Sequence, residues 1–355
     1  MKVSLITIKG LYNYGAVLQA YATFMHLQKM GCNVEVVDYY PDYFESDTSL
    51  LKQIAIQIIT TYKRYKISKF STSKMKFTAK TYRNFEELKN AKLSSDFFVV
   101  GSDQVWNSQL SKGKLDPVYF LDFTDSDNKI AFSSSIGRAD VAIDELKEMK
   151  NYLKKFSYIS VREESAKQLL ESVGVQKVVN VIDPVFLLTK EDYKKLIKLV
   201  KYDKYLLIYS FERNETTQKL AKEISKKLGL KIIEIGIFKS KYNCDKYIHS
   251  AGIEDFLSLM YYADFIVTSS FHGTAFSILL NKQFVSVAPS IRKTRLENIT
   301  NIMGLSERLI TETSNYQLED LLITIDYENI NKIVYTNAEK GRNFLKEAIF
   351  SKSKE

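Results

Sequence analysis

The sequence predicts an α/β protein made of two successive β/α domains, and three observations predict it. Short apolar runs of strand length alternate with longer amphipathic runs of helical period along nearly the whole chain. The alternation pauses after "VIDPVFLL" (181–188) and then restarts. Strand after strand also ends in small, polar or charged residues, where open parallel sheets place their ligands. With 355 residues and 45% hydrophobic content, the chain is long enough for two cores. The expected division is an N-terminal domain over 1–188, a C-terminal domain over 189–335, and a terminal helix over 336–355 that packs back on the first domain. The two domains are expected to leave a cleft between them.

"KVSLITI" (2–8) reads as a strand. "AVLQAYATFMHLQKMG" (16–31) is a helix whose Val17, Leu18, Tyr21, Phe24, Met25 and Leu27 recur at helical spacing, ended by Gly31. "NVEVVDY" (33–39) is the next strand, which completes a β-α-β unit and the opening of a parallel sheet. A basic, helical stretch spans about 50–92. Strands follow at "DFFVVGSDQVWN" (96–107), "KIAFSSSIGR" (129–138), "YISV" (158–161) and "KVVNVIDPVFLL" (177–188), with helices at "AIDELKEMKNYLKKF" (142–156) and "REESAKQLLESVG" (162–174) between them. In the second half, "TKEDYKKLIKLV" (189–200) is a helix with a threonine cap. The strands "YLLIYSF" (205–211), "LKIIEIG" (230–236), "DFIVTSS" (264–270) and "QFVSVAP" (283–289) alternate with helices that include "IEDFLSLMYYA" (253–263), and the tail "NAEKGRNFLKEAIF" (337–350) is helical. The pattern is of two Rossmann-like β/α domains.

Composition narrows the function classes. No apolar run reaches the roughly 18 residues that span a bilayer, and the N-terminus does not read as a signal peptide. Cys32 and Cys244 match no metal or redox spacing, which fits a reducing cytoplasm. The net charge of +9 suits anionic partners in general. The lysine-rich stretch 62–80 reads either as a solvated surface or as a patch facing lipid head groups or a diphosphate.

Five strand ends hold the candidate site residues. At "YNYG", Asn13, Tyr14 and Gly15 stand between the first strand and the first helix, either as an ordinary turn or as an anion site at a helix N-terminus. The dinucleotide fingerprint G-x-G-x-x-G is absent there. At "GSDQVWN", Ser102 and Asp103 lie beside Trp106. Asp103 reads as a general base for a sugar hydroxyl or as a helix cap, and Trp106 as a sugar platform or as core. At "SSSIGR" the loop ends in Arg138. At "SVREESA", Arg162 reads as a bidentate clamp for a carboxylate or phosphate, or as the ion-pair partner of Glu163, Glu164 or Glu171.

The fifth place is "TSSFHGT" (268–274). Ser269 and Ser270 supply hydroxyls, and Gly273 removes a side chain where a ligand could approach. His272 sits near a helix N-terminus, whose dipole favours the neutral imidazole. Such a group can give and take a proton near neutrality. His26 and His249 read as structural, and the three histidines are not spaced as a metal site. Arg292 and Arg295, in "SIRKTRLEN", add two cations beyond the following strand.

Taken in order, "YNYGAVLQAYA", "VVGSDQVWN", "FLDF", "FSSSIG", "ISVREESAKQLLESVG", "VIDPVFLL" and "IVTSSFHGTAFSILLNKQF" resemble the polysaccharide pyruvyl transferase family over roughly residues 3–305. The resemblance implies a glycosyltransferase-B-type fold and transfer of the enolpyruvyl group of phosphoenolpyruvate to a sugar of a surface-polysaccharide precursor, forming a pyruvate ketal. The implied partners are phosphoenolpyruvate and a lipid-linked or nucleotide-linked sugar, with peripheral contact at the inner membrane face compatible and no nucleic acid. The implied cofactor set is none. The family's histidine falls on His272, with Arg162 and Ser270 as further matches. His272 is the expected acid and Asp103 the expected base. Two other readings stay open: a glycosyltransferase using a sugar nucleotide, for which Glu254 and Asp255 in "GIEDF" are the candidate nucleoside-binding carboxylates, and a non-catalytic sugar- or phosphate-binding protein.

Overall fold

The structure, a computed structural model, describes residues 1–9, 13–44, 50–237, 239–288, 294–311 and 314–351, without the side chains of 50–55 and 57. By its internal contacts the chain divides into two units. The first holds residues 1–50, 71–187 and 336–355, and the second holds 51–70 and 188–335.

The first unit contains a parallel sheet of β1 (Lys2–Ile6), β2 (Asn33–Val36), β3 (Phe97–Val100), β4 (Lys129–Ser134), β5 (Tyr158–Val161) and β6 (Val178–Asn180), in the order β2-β1-β3-β4-β5-β6. The second unit contains a parallel sheet of β7 (Tyr205–Tyr209), β8 (Lys231–Ile235), β9 (Lys246–Ile248), β10 (Phe265–Thr268), β11 (Phe284–Val287) and β12 (Leu309–Ile310), in the order β12-β11-β10-β7-β8-β9. All residues of β3, β7 and β10 are buried, as expected of parallel strands covered by helices on both faces. Ile6, Phe98, Val100, Trp106, Phe120 and Val161 share one apolar cluster of the first unit; Leu206, Ile208, Ile224, Val267 and Val285 share one of the second.

Both strand orders contain a reversal. In the first sheet β2 and β3 flank β1, and in the second β8 and β10 flank β7. Right-handed crossovers then send the connecting segments to opposite faces and leave a gap at the carboxyl ends of β1 and β3, and of β7 and β10. Register sets these ends level: Ile6 pairs with Val100, and Tyr209 pairs with Thr268.

Four segments depart from the sequence expectation. The helical stretch expected over 50–92 is a helix, α2, only over Leu50–Lys74, followed by an extended segment and a short helix Phe85–Ala91. The extended segment lies along β2: Val36 N donates to Lys76 O at 2.7 Å, and Thr78 N donates to Val36 O at 2.9 Å. Backbone groups on the edge strand need partners, and this segment supplies them. The helix expected over 189–200 covers only Lys190–Lys194, with Thr189 in a capping box with Asp192. The strands β9 and β12 were not expected, and at three and two residues they are too short to show a period.

The closing helix, Tyr327–Phe350, carries residues that belong to the first unit. Arg342 Nη2 donates to Leu187 O at 3.0 Å, and Phe344 stacks on Phe132 with centroids 6.1 Å apart. His26, on the first helix α1 (Tyr14–Lys29), is half-buried near Arg342, Lys29 and Glu339. Burial first, then the Arg342 and Lys29 cations, push its pKa down to about 4. In the unfolded chain the value is 6.5. Below 6.5 the unfolded state therefore takes up a proton that the folded state refuses until about 4. This contribution is complete above pH 6.5 and is lost as pH falls towards 4. Melting temperature followed from pH 7 to pH 4 should fall more steeply in the wild type than in His26→Gln. Parallel curves would show that another group titrates.

Candidate active site

In the first unit, α1 begins at the gap between β1 and β3. Asn13 is its N-cap: Oδ1 accepts from Gly15 N at 3.0 Å and Ala16 N at 3.4 Å. Two of the N–H groups expected to face an anion are thus already engaged, and Tyr14 and Gly15 are buried. Thr7, just past β1, donates from Oγ1 to Ser102 O at 2.7 Å and accepts from Gln19 Nε2 at 2.9 Å.

Asp103 is buried and adopts φ +72°, a left-handed conformation uncommon outside glycine. Its Oδ1 accepts from Gln104 N at 2.9 Å, and its carbonyl accepts from Val105 N at 2.8 Å and Ser135 N at 3.1 Å. On the neighbouring strand β4, Ser133 is also left-handed, at φ +53°, where the β4–β5 register shifts. Ser133 N bonds Ser160 Oγ at 3.0 Å and Ser133 Oγ bonds Ile182 O at 3.2 Å. Two such residues at adjacent strand ends mark a place where side-chain aim overrides backbone preference.

Arg162, at the end of β5, is wholly buried. Its Nε donates to Glu163 Oε1 at 3.0 Å and its Nη1 to Asp183 Oδ2 at 2.8 Å. Ser102 Oγ lies 3.5 Å from Nη1, and Ser135 Oγ donates to Glu163 Oε1 at 2.7 Å. Burial opposes the guanidinium charge, but the carboxylates of Glu163, Asp183 and Asp103 outweigh it, and the proton is held more tightly than usual. The ion-pair alternative for Arg162 is therefore present, with Glu163 as anticipated and Asp183 in addition. One cation faces three carboxylates, so the cluster is acidic on balance. Glu163 Oε2 and Gln19 Oε1 are buried acceptors with no hydrogen-bond partner among the described residues. This strand edge is equipped to take hydrogen bonds from hydroxyls. Arg138 is turned to Glu145, to Asp140 O and to Ser108 Oγ, the last at 3.0 Å. Trp106 is core: its Nε1 donates to Tyr119 O at 3.1 Å and its ring stacks on Phe120 at 5.5 Å.

The second unit builds a different surface at its reversal point. Ser210 follows β7 and Ser269 follows β10, and their hydroxyls meet at 2.6 Å, with Tyr242 OH donating to Ser210 Oγ at 3.0 Å. Ser270 caps the helix Phe271–Leu279, its Oγ accepting from Gly273 N at 3.3 Å. His272, buried in the first turn of that helix, lies edge-on to Phe271 at 5.1 Å. The Arg295 guanidinium sits 5.9 Å from the same Phe271 ring. Arg292 lies outside the described residues. Hydroxyls, a helix N-terminus, a histidine and an arginine are the donor set for an anion.

Gly273 has a structural reason. A Cβ there would fall 2.1 Å from Thr268 Oγ1 and 3.1 Å from Tyr209 Cδ1, so neighbouring side chains, not a ligand, occupy the space. Thr268 cannot simply swing away, because Oγ1 donates to Tyr209 O at 2.6 Å and accepts from Ser270 N at 3.1 Å.

Sequence reasoning missed Asp183, Gln19, Ser210, Tyr242 and Lys63. Asp183 carried a signal, its Asp-Pro at a strand exit. Lys63 carried none. It is a buried member of the lysine-rich stretch on α2, with Nζ 3.4 Å from Gly236 O beyond β8, and burial pushes its amine down to about 7. Among the described residues, no three of His, Cys, Asp and Glu are grouped to hold a metal ion.

Two parallel sheets, each doubly wound and each polar at its reversal point, are the two Rossmann-like domains of a glycosyltransferase-B-type fold. Solved structures share the fold. The UDP-GlcNAc 2-epimerase of Methanocaldococcus jannaschii is similar with a TM-score of 0.55 at 15% identity, over 97% of this chain and 94% of that one. An α-glucosyltransferase solved with UDP and DNA is similar with a TM-score of 0.52 at 12% identity, over 97% and 95%. No curated protein matches the sequence. The model of the polysaccharide pyruvyl transferase family matches residues 13–291, and the chain belongs to that family.

The Gly273 contact has a measurable consequence. In an open helix, Gly→Ala gains about 1 kcal/mol. Here Gly273→Ala should instead cost about 1–3 kcal/mol, the usual penalty of overpacking, and lower the melting temperature by several degrees. The same change made in a Thr268→Ala background should cost less, by the coupling of residues in contact. Equal costs in both backgrounds would contradict the contact.

Proposed function

We propose that the protein transfers the enolpyruvyl group of phosphoenolpyruvate to a sugar of a surface-polysaccharide precursor and closes it as a pyruvate ketal, releasing phosphate. The observation that carries this reading is that the family match, residues 13–291, takes in the polar ends of β3–β6 in the first unit and of β7 and β10 in the second. In this reading the hydroxyl-rich edge of the second unit receives the phosphate and carboxylate of the donor. The carboxylate-rich edge of the first unit receives the hydroxyls of the acceptor.

The chemistry requires a proton on the methylene carbon. In this proposal His272 supplies it, leaving a cationic carbon that bears the phosphate ester oxygen and the carboxylate. A sugar hydroxyl oxygen bonds to that carbon, and its proton passes to Asp103. The carbon–oxygen bond to phosphate then breaks, and a second hydroxyl closes the ring and loses its proton. Arg162, locked between Glu163 and Asp183, acts by orienting those carboxylates. No step calls for a redox cofactor.

The competing glycosyltransferase reading needs carboxylates available to a nucleoside. Glu254 and Asp255 begin the helix Ile253–Tyr262. Glu254 is paired with Lys198, and Asp255 is paired with Lys66 at 2.7 Å and accepts from Gly252 N at 2.9 Å. These engagements favour phosphoenolpyruvate as the donor.

Phosphoenolpyruvate should raise the melting temperature in a concentration-dependent way, while NAD should not. A shift with NAD, or none with phosphoenolpyruvate in the presence of acceptor, contradicts the donor assignment. His272→Ala should lower turnover by roughly a hundredfold or more, and His272→Gln should be nearly as impaired. If Gln recovers activity and the Ala defect lies in KM, His272 binds the anion and does not transfer the proton. Because His272 is buried, melting temperatures are measured alongside, to separate lost chemistry from lost packing.

A further inference from the structure

Helix α2 presents an exposed face that the catalytic reading does not use. Thr60, Lys63, Ile67 and Phe70 are buried and form its inner side. At 100° per residue, Ile58, Tyr62, Tyr65 and Lys69 fall on the opposite side, with Ile59 and Lys66 along one flank. Exposure follows this geometry: Ile58 is 72% exposed, Ile59 50%, Tyr62 59% and Tyr65 57%. The other exposed large apolar residues, such as Ile143, Leu199, Phe211 and Ile323, are scattered over separate elements. Scattered residues of this kind are ordinary, whereas three within eight positions on one helical stripe, with a fourth on its flank, are not.

The segment that carries the stripe is basic, and on its flank Lys66 is paired with Asp255 at 2.7 Å. From residue 48 to residue 85 the sequence holds nine lysines and arginines and no aspartate or glutamate. Lys69 and Lys74 are exposed. Lys66 and Lys69 lie 4.7 Å and 5.8 Å from the rings of Tyr62 and Tyr65, so the cations rim the aromatic residues. Among the described residues no helix is long and apolar enough to cross a membrane.

We propose that this face of α2 docks the protein on an anionic lipid bilayer, lying flat in the head-group region. Tyrosines suit that depth, with the ring among acyl carbons and the hydroxyl among head groups. The isoleucines enter the apolar boundary, and the lysines meet lipid phosphates. Charge complementarity is what selects this occupant. A second copy of the chain would bring the exposed Lys69 and Lys74 against their own kind, whereas an anionic surface meets them with opposite charge.

The test is co-sedimentation of the full chain with vesicles of phosphatidylcholine alone and of phosphatidylcholine mixed with phosphatidylglycerol. The wild type should bind the mixed vesicles, should not bind the neutral ones, and should be released by salt. Ile58→Ser/Tyr62→Ser/Tyr65→Ser and, separately, Lys69→Glu/Lys74→Glu should each weaken binding by roughly tenfold or more at unchanged melting temperature. Should the triple variant lose stability, the charge pair, both of whose members are exposed, decides alone. Absence of wild-type binding to the mixed vesicles overturns the proposal, as does equal binding to both kinds. Full binding by the charge-pair variant overturns it too. So does light scattering that finds a dimer in the wild type and a monomer in the triple variant with no vesicle binding in either, because the face is then a contact between copies.

Discussion

A parallel sheet whose strand order reverses cannot cover both strands at the reversal, because the connecting segments leave on opposite faces. Each half of this protein is organised around one such gap. At β1 and β3, register sets Thr7 beside Gly101 and Ser102, and their backbone and hydroxyl groups bond directly. At β7 and β10, register sets Ser210 beside Ser269. The polar groups are there because the topology leaves the strand ends uncovered, and the apolar runs behind them are there because both faces of each sheet are buried.

The two gaps differ in electrostatic character, and this difference gives the proposed chemistry its division of labour. In the first unit the fully buried Arg162 guanidinium is matched by Glu163 and Asp183, with Asp103 close enough to add to its field. An arginine so placed is costly to disturb, since removing it would leave buried carboxylates uncompensated. It behaves as the keystone of a hydrogen-bond-accepting surface. In the second unit hydroxyls and a helix start dominate, and the nearby cation, Arg295, is only half-buried.

Much of this was legible in the sequence because period and punctuation act locally. The strand runs ending in "GSDQVWN", "SSSIGR", "SVRE" and "TSSFHGT" are strands ending at those places. What was not legible depends on pairing across long separations. Asn13 turned out to be a cap, and Gly273 a packing necessity imposed by Thr268. Asp183 acquires its part only when β6 is laid beside β5, and Lys63 only when α2 is laid against Gly236. The extended segment at 76–82 follows from the needs of an edge strand, which no local pattern announces.

The central claim is that phosphoenolpyruvate is the donor and a sugar hydroxyl pair the acceptor. Its most direct measurement incubates the protein with phosphoenolpyruvate and a panel of lipid-linked and nucleotide-linked sugars, following inorganic phosphate and the mass of each sugar. The account predicts phosphate release that depends on one acceptor, matched mole for mole by that acceptor gaining pyruvate less one water. Consumption of a sugar nucleotide, with no phosphate released from phosphoenolpyruvate in the presence of any acceptor, would contradict it.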